Sequence, residues 1–286
     1  EVGGIMMLDA LSALENDDAT QTIVLISKPP VESVANKIIE ASKKCKKPVI
    51  ICFINSDFAA EKESNIIFTG TLEEAAYTAV KLSTGKAPKE LTDFYDYNDV
   101  KTAFDLKRKE TQKYVRGLYC GGTICDETAF IFAKKFGADV YSNVGKVNQL
   151  TDANHSLKHS FIDLGDDQFT VGRPHPMIEP DARNKRIVKE ALDPETAIVL
   201  FDVELGYGSH RDPAKSAVES VRKAKALLAE QGNDVLFVAY VLGTERDLQN
   251  YRYQIDLLES EGIVVARSNA RAAKLCADLI GGISHE

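Results

Sequence analysis

Tryptophan is absent from this chain of 286 residues, and several other shortages exclude whole classes of protein. The cysteines number five, an odd count, and Cys45, Cys52, Cys120, Cys125 and Cys276 sit largely in apolar patterns. A disulfide scaffold is therefore excluded, and reduced thiols in a cytoplasmic setting are the expectation. The pair Cys120 and Cys125 is too isolated to supply the four ligands of a structural zinc site. Histidine is equally scarce, five in all. His155 and His159 are four apart, but they run straight into a strand pattern, so a shared helical face is the lesser reading and no metal site is expected. No apolar run approaches the roughly 20 residues of a membrane span. Positive charge is also short: 35 Lys and Arg against 43 Asp and Glu leave a net charge of −8. That balance disfavours nucleic acid and anionic membrane as partners. A Gly-x-Ser-x-Gly elbow, a Gly-Lys-Ser/Thr phosphate loop and a dinucleotide fingerprint are all missing, so no complete nucleophile–base pair can be read. The chain opens on Glu1 within a motif, which points to a trimmed piece of a longer protein.

What is present is a pair of Gly-Gly dipeptides, each opening a helix-like pattern. Gly3-Gly4 leads into Ile5-Met6-Met7-Leu8, and Cys120-Gly121-Gly122-Thr123 leads into Ile124-Cys125-Asp126-Glu127. A helix N-terminus carries unpaired N–H groups and partial positive charge, which suits an anion. Glycine lets a ligand approach that backbone closely. Either dipeptide alone reads as a tight turn. Their recurrence suggests one phosphate-like group held between two similar halves.

The surrounding patterns support the halves. Apolar runs at 22–27, 48–54 and 66–68 read as buried strands, separated by a helical pattern over 31–44. Thr71 followed by Glu74 is a capping box that starts a further helix. In the second half, strands at 116–120, 160–164, 193–202 and 235–240 alternate with helices at 179–192 and 213–230. Strand–helix alternation predicts an α/β fold, two doubly wound, flavodoxin-like domains with parallel sheets. Residues 1–90 form the first domain, 91–114 a linker, and 115–286 the second. The run ending at Asp202 echoes the run ending at Ile26, an internal duplication.

In such sheets ligands lie beyond the carboxyl ends of the strands. After the 160–164 strand come Gly165, Asp166, Arg173 and His175, the histidine held between Pro174 and Pro176. Arg173 suits bidentate oxyanion binding. The alternative is a proline-stiffened connector, and His175 is equally suited to orienting the loop. After the 193–202 strand, Glu204, Gly206, Tyr207, Gly208 and His210 either line the same crevice or form a flexible loop capped by Asp212. Ser27-Lys28-Pro29-Pro30 places Lys28 at the equivalent point of the first half.

These motifs resemble the FdrA family, relatives of succinyl-CoA synthetase. The resemblance rests on Glu1-Val2-Gly3-Gly4, Ile26-Ser27-Lys28-Pro29-Pro30, Gly117-Leu118-Tyr119-Cys120-Gly121-Gly122-Thr123, the 163–178 loop and the stretch 202–213. It implies that residues 1–90 correspond to the ligase domain of the synthetase α subunit and 115–283 to the C-terminal ligase domain of the β subunit. It also implies a phosphohistidine in a Gly-His-Ala-Gly loop, but the matching stretch, Asn55 to Ser64, contains no histidine. The glutamate that would orient it is replaced by the Ser27-Lys28-Pro29-Pro30 turn. The family likeness extends to a subunit of oxamate carbamoyltransferase, an enzyme of purine catabolism converting oxalurate and phosphate to oxamate and carbamoyl phosphate. An acyl-CoA synthetase, or a metabolite-binding scaffold related to one, is the alternative. On this resemblance His175 and Arg173 carry the chemistry, and phosphate or carbamoyl phosphate is the ligand. Gly3, Gly4, Lys28, Cys120 to Thr123, Gly165, Asp166, Glu204, Gly206, Tyr207, Gly208 and His210 hold the anion and the small-molecule substrate. No cofactor is expected in this fragment, CoA or nucleotide binding stays open, and the partners are further carbamoyltransferase subunits in an oligomer.

Overall fold

Two parallel sheets organise the chain, and each belongs to its own unit, residues 1–90 and 91–286. The structure, a computed structural model, describes residues 3–54, 65–88 and 92–281. Glu1, Val2 and the 55–64 stretch discussed above lie outside the described residues.

The first unit runs α1 (Ile5–Asn16), β1 (Ile23–Ser27), α2 (Glu32–Lys43), β2 (Val49–Phe53), β3 (Ile66–Phe68) and α3 (Leu72–Thr84), with sheet order β1-β2-β3. β2 is buried throughout because both of its faces are covered. Val49, Ile51 and Phe53 join one apolar cluster with Leu25 and Ile38, while Ile50, Cys52 and Ile54 join another with Ala75. A period of two places alternate residues on opposite faces, so a strand covered twice reads as a continuous apolar run. Thr71 caps α3, its hydroxyl accepting from Glu74 N at 3.2 Å. Glu74 reaches back to Gly70 N at 2.9 Å, one residue before the cap itself.

The second unit contains α4 (Tyr97–Lys107), β4 (Tyr114–Tyr119), α5 (Gly122–Phe136), β5 (Val140–Ser142), β6 (Asn148–Gln149), β7 (His159–Asp163) and the single turn α6 (Asp167–Thr170). α7 (Asp181–Ala191), β8 (Thr196–Glu204), α8 (Pro213–Glu230), β9 (Leu236–Leu242), α9 (Tyr251–Ser260), β10 (Val264–Ala266) and α10 (Asn269–Gly281) complete it. Its sheet has the order β10-β9-β8-β4-β7-β5-β6, every pair parallel. From β4 the chain moves to one side through β5, β6 and β7, then crosses back to place β8 on the other side of β4. The point where strand order reverses opens a crevice at the carboxyl ends of the flanking strands. Here those ends are Tyr119-Cys120 of β4 and Asp202 to Glu204 of β8. Beside this switch point, β8-β9-β10 repeats the parallel sequential order of β1-β2-β3 in the first unit.

The 91–114 stretch read as a linker holds an element of its own. Asp96 caps α4 by accepting from Asn98 N at 2.8 Å, and Phe104 on this helix is buried within the second unit. The mixed charges of the segment hid its apolar anchors, Phe104 and the partly buried Phe94.

Candidate functional site

The switch point is built on the last residues of β8. That strand is buried along its length, and Asp202 and Glu204 are two residues apart, hence on one face. Asp202 is fully buried and turns toward the start of α5. Its carboxylate accepts from Cys120 N with both oxygens at 2.9 Å and from Gly121 N at 2.9 Å. Arg183, itself buried at the start of α7, donates to the Asp202 carbonyl and lies 3.7 Å from its carboxylate. The helix start expected to be an open anion cradle is therefore capped from within by a carboxylate. The amides of Gly122 and Thr123, next along the first turn, have no acceptor among the described residues.

Glu204 completes the arrangement. Burial, then the Asp202 charge, raise its carboxyl to about 8. Burial also raises Asp202, against the pull of Arg183 and the two backbone N–H groups. Hydrogen bonds to an ionised carboxylate favour that form. The two carboxyls therefore titrate as a unit that keeps a proton at neutral pH, the hydrogen bonds to Asp202 favouring its ionised form and burial favouring the neutral form of Glu204. Gly121 is glycine for this reason: a Cβ there would fall 2.5 Å from Glu204 Oε1. Gly3 and Gly4 differ. Their φ values of 62° and 77° require glycine for the turn itself, whereas Gly121 has an ordinary φ of −101°. The matching dipeptides are thus two different devices, and their recurrence does not by itself mark matching anion sites.

The 163–178 loop comes to the same place through His175. A Cβ on Gly165 would fall well inside contact distance of His175 Nε2 and 2.7 Å from the Cys120 carbonyl oxygen, so the imidazole packs against this backbone. Met177 N donates to His175 Nδ1 at 3.2 Å. That bond places the neutral ring's proton on Nε2, which has no hydrogen-bond partner among the described residues. The second loop meets the first where His210 N donates to the Met177 carbonyl at 2.8 Å. Gln249 braces the second loop, exchanging hydrogen bonds with Gly206 at 3.2 and 2.9 Å.

The remaining expected residues of the second unit make no hydrogen bond or ion pair with Asp202, Glu204 or His175 among the described residues. Arg173 is exposed, and its guanidinium makes no hydrogen bond or ion pair among the described residues. Asp166 caps α6 by accepting from Gln168 N at 3.1 Å, a structural role. Tyr207 is 92% exposed, Gly206 and Gly208 have φ of 123° and 84°, and His210 Nδ1 accepts from Asp212 N at 3.1 Å. Lys28 is an exposed residue of the first unit, beyond β1. His155 is exposed and pairs with Asp152 at 2.6 Å, whereas His159 is buried and accepts from Val115 N at 3.2 Å. Among the described residues no three His, Cys, Asp or Glu groups are placed to hold a metal ion. Nor does any described helix have the length and apolarity to cross a membrane.

The residues that sequence reasoning passed over are Asp163, Arg183 and the partners of the α5 first turn. Asp163 Oδ1 accepts from Gly165 N at 2.9 Å and sets the loop's departure from β7. Glu127 is fully buried and accepts from Asn269 Nδ2 at 2.7 Å, joining α5 to α10. One signal was legible: a strand apolar enough to be buried on both faces that ends Asp-Val-Glu commits two carboxyls to a low-dielectric edge.

The chain belongs to the CoA-ligase family, whose model matches residues 118–278, the second unit from β4 into α10. With its parallel α/β sheets this is a succinyl-CoA-synthetase-like fold. It is 44% identical over 283 residues to the uncharacterized protein YahF of Escherichia coli (strain K12), covering 98% of this chain and 54% of the relative. The chain thus spans about half the length of that relative. Solved structures similar to it include a dinucleotide-forming acetyl-coenzyme A synthetase 1 of Ca. Korarchaeum cryptofilum, at 12% identity and a TM-score of 0.37. That match covers 96% of this chain and 56% of the other. ATP citrate lyase of Methanosaeta concilii in complex with (3S)-citryl-CoA matches at 13% identity and a TM-score of 0.35, covering 96% of this chain and 36% of that one.

Proposed function

We propose that this chain is the core of an FdrA-type subunit of a carbamoyltransferase, acting with partner subunits in the cytoplasm on phosphate or carbamoyl phosphate. The observation that carries the reading is the proton-sharing Asp202–Glu204 pair set against the start of α5. Oxalurate phosphorolysis needs such a pair. A phosphate oxygen attacks the carbamoyl carbon, the bond from that carbon to the oxamate nitrogen breaks, and the proton on hydrogenphosphate must reach that nitrogen. Neutral Glu204 can protonate the leaving nitrogen while the pair recovers a proton from phosphate, so atoms and charge balance. A general acid works best with a pKa near the operating pH, which burial gives Glu204. The Gly122 and Thr123 amides and the α5 dipole favour the phosphate oxygens. His175 supplies one N–H donor from the loop. The absence of histidine from Asn55 to Ser64 suits a reaction in which phosphate is never parked on imidazole.

The test is reconstitution of the full-length protein with its partner subunits and an assay for phosphate-dependent carbamoyl phosphate formation from oxalurate. Glu204→Gln should abolish the basic-limb pKa of kcat and lower kcat about 10²-fold or more. Family membership favours a second reading, an acyl-CoA synthetase. Formation of acyl-CoA from ATP, CoA and a carboxylate, with no carbamoyl phosphate, would establish it in place of the first.

A further inference from the structure

At the opposite, amino-terminal end of the strands of the second sheet, roughly 23 Å along β8 from Glu204 at about 3.3 Å per residue, lies a cavity of about 560 Å³. It is bounded by α4, by the first residues of β8, β9 and β10, and by the end of α8. The volume falls within the range of small-molecule sites, about 300–1,000 Å³.

Its chemistry is two-sided. Ala197, Phe104, Val235 and Phe237 give a buried apolar floor. Three cations stand at the rim: Lys107, Arg108 and Lys225. Lys107 is paired with Asp234 at 2.8 Å. Lys225 donates to the Glu261 carbonyl and sits 5.8 Å from the Phe237 ring centroid. Arg108 lies over the Phe104 ring, its Cζ 5.6 Å from the centroid, and its guanidinium makes no hydrogen bond or ion pair among the described residues. Burial works against the charge of both Arg108 and Lys225. Asp99 and Asp234 are the lining carboxylates. The lining side chains therefore carry a net charge of about +1 on a chain whose total is −8, with Asp105 acting on Arg108 and Glu261 on Lys225 from outside the lining. Arg108 is half-buried and Asp105 offsets part of its desolvation, so its unbonded guanidinium beside the apolar floor remains open to a further anion.

We propose that this cavity is a second ligand site, separate from the switch-point centre, that takes an amphipathic monocarboxylate: its apolar body on the Phe104–Phe237 floor and its carboxylate on Arg108 and Lys225. A phosphorylated or nucleotide ligand fits less well, because one net positive charge and an apolar floor do not match a multiply charged, polar body. Arg108 provides the planar fork that recognises a carboxylate in two bonds.

Octanoate is the probe and octanol its neutral counterpart, each titrated calorimetrically into the full chain. The expected result is one octanoate site, with octanol at least tenfold weaker. Arg108→Gln should weaken octanoate about tenfold and leave octanol unchanged. Ala103→Trp, which projects a ring from α4 into the cavity, should abolish both. Melting temperatures of both variants show whether the fold is kept; if Ala103→Trp does not fold, the octanoate and octanol contrast in Arg108→Gln decides alone. Absence of octanoate binding at millimolar concentration, octanol binding as tightly as octanoate, or octanoate affinity unmoved in Arg108→Gln would each overturn the proposal.

Discussion

Replacing Glu204 by glutamine isolates the shared proton at the switch point. The carboxyl is raised from 4.5 to about 8 by burial and by the Asp202 charge. In the unfolded chain it ionises near the lower value, so between the two the native state keeps a proton that the unfolded state has released. Native stability therefore falls as pH rises through this window and levels off above about 8. At roughly 1.4 kcal/mol for each pH step, the full window corresponds to about 5 kcal/mol. Glu204 keeps a partly exposed edge, and solvent there reduces the expected effect to about 2–4 kcal/mol. Glutamine preserves the shape and the donor to Asp202 but cannot ionise. Equilibrium urea unfolding, followed by circular dichroism at pH 5 to 9, compares the variant with the parent chain. The stability difference should be small at pH 5 and should grow in the variant's favour toward pH 9. Taking the difference cancels the tyrosines and cysteines that titrate alike in both proteins. Parallel profiles across the range would refute the shared proton and with it the acid role given to Glu204.

Gly165→Ala places a methyl group against the His175 ring at Nε2 and 2.7 Å from the Cys120 carbonyl oxygen, a backbone atom. It should destabilise by about 1–3 kcal/mol in urea unfolding and displace the His175 ring signals in NMR; an unchanged His175 environment would refute the packing. Burial, reinforced by Arg116, lowers His159 from 6.5 to about 4. The unfolded chain binds this proton first, so the contribution of His159 to stability is whole above about 6.5 and is lost as pH falls toward 4. Its ring protons should titrate near 4 in a histidine NMR series, and titration near 6.5 would refute the buried neutral imidazole.

The sequence alone determined the parallel α/β architecture, because its signals act over short distances. The run at 48–54 could only be a strand covered on both faces, and β2 divides it between two clusters. Thr71 with Glu74, and Asp212 before Pro213, fixed helix starts through bonds that close within a few residues. The loops of the candidate site were also legible, since sheet topology places function beyond the carboxyl ends of strands. Their inner chemistry was not. Asp202 caps the α5 start across 82 residues of sequence, so the carboxylate that fills the anion cradle appears only once β8 lies beside β4. The two Gly-Gly dipeptides read alike because composition records the missing Cβ and not its cause. One pair makes a left-handed turn, while Gly121 leaves room for a carboxyl from another strand. Helix α4 and the cavity beneath it followed the same rule: Phe104 finds its burial against elements that the chain reaches only about a hundred residues later.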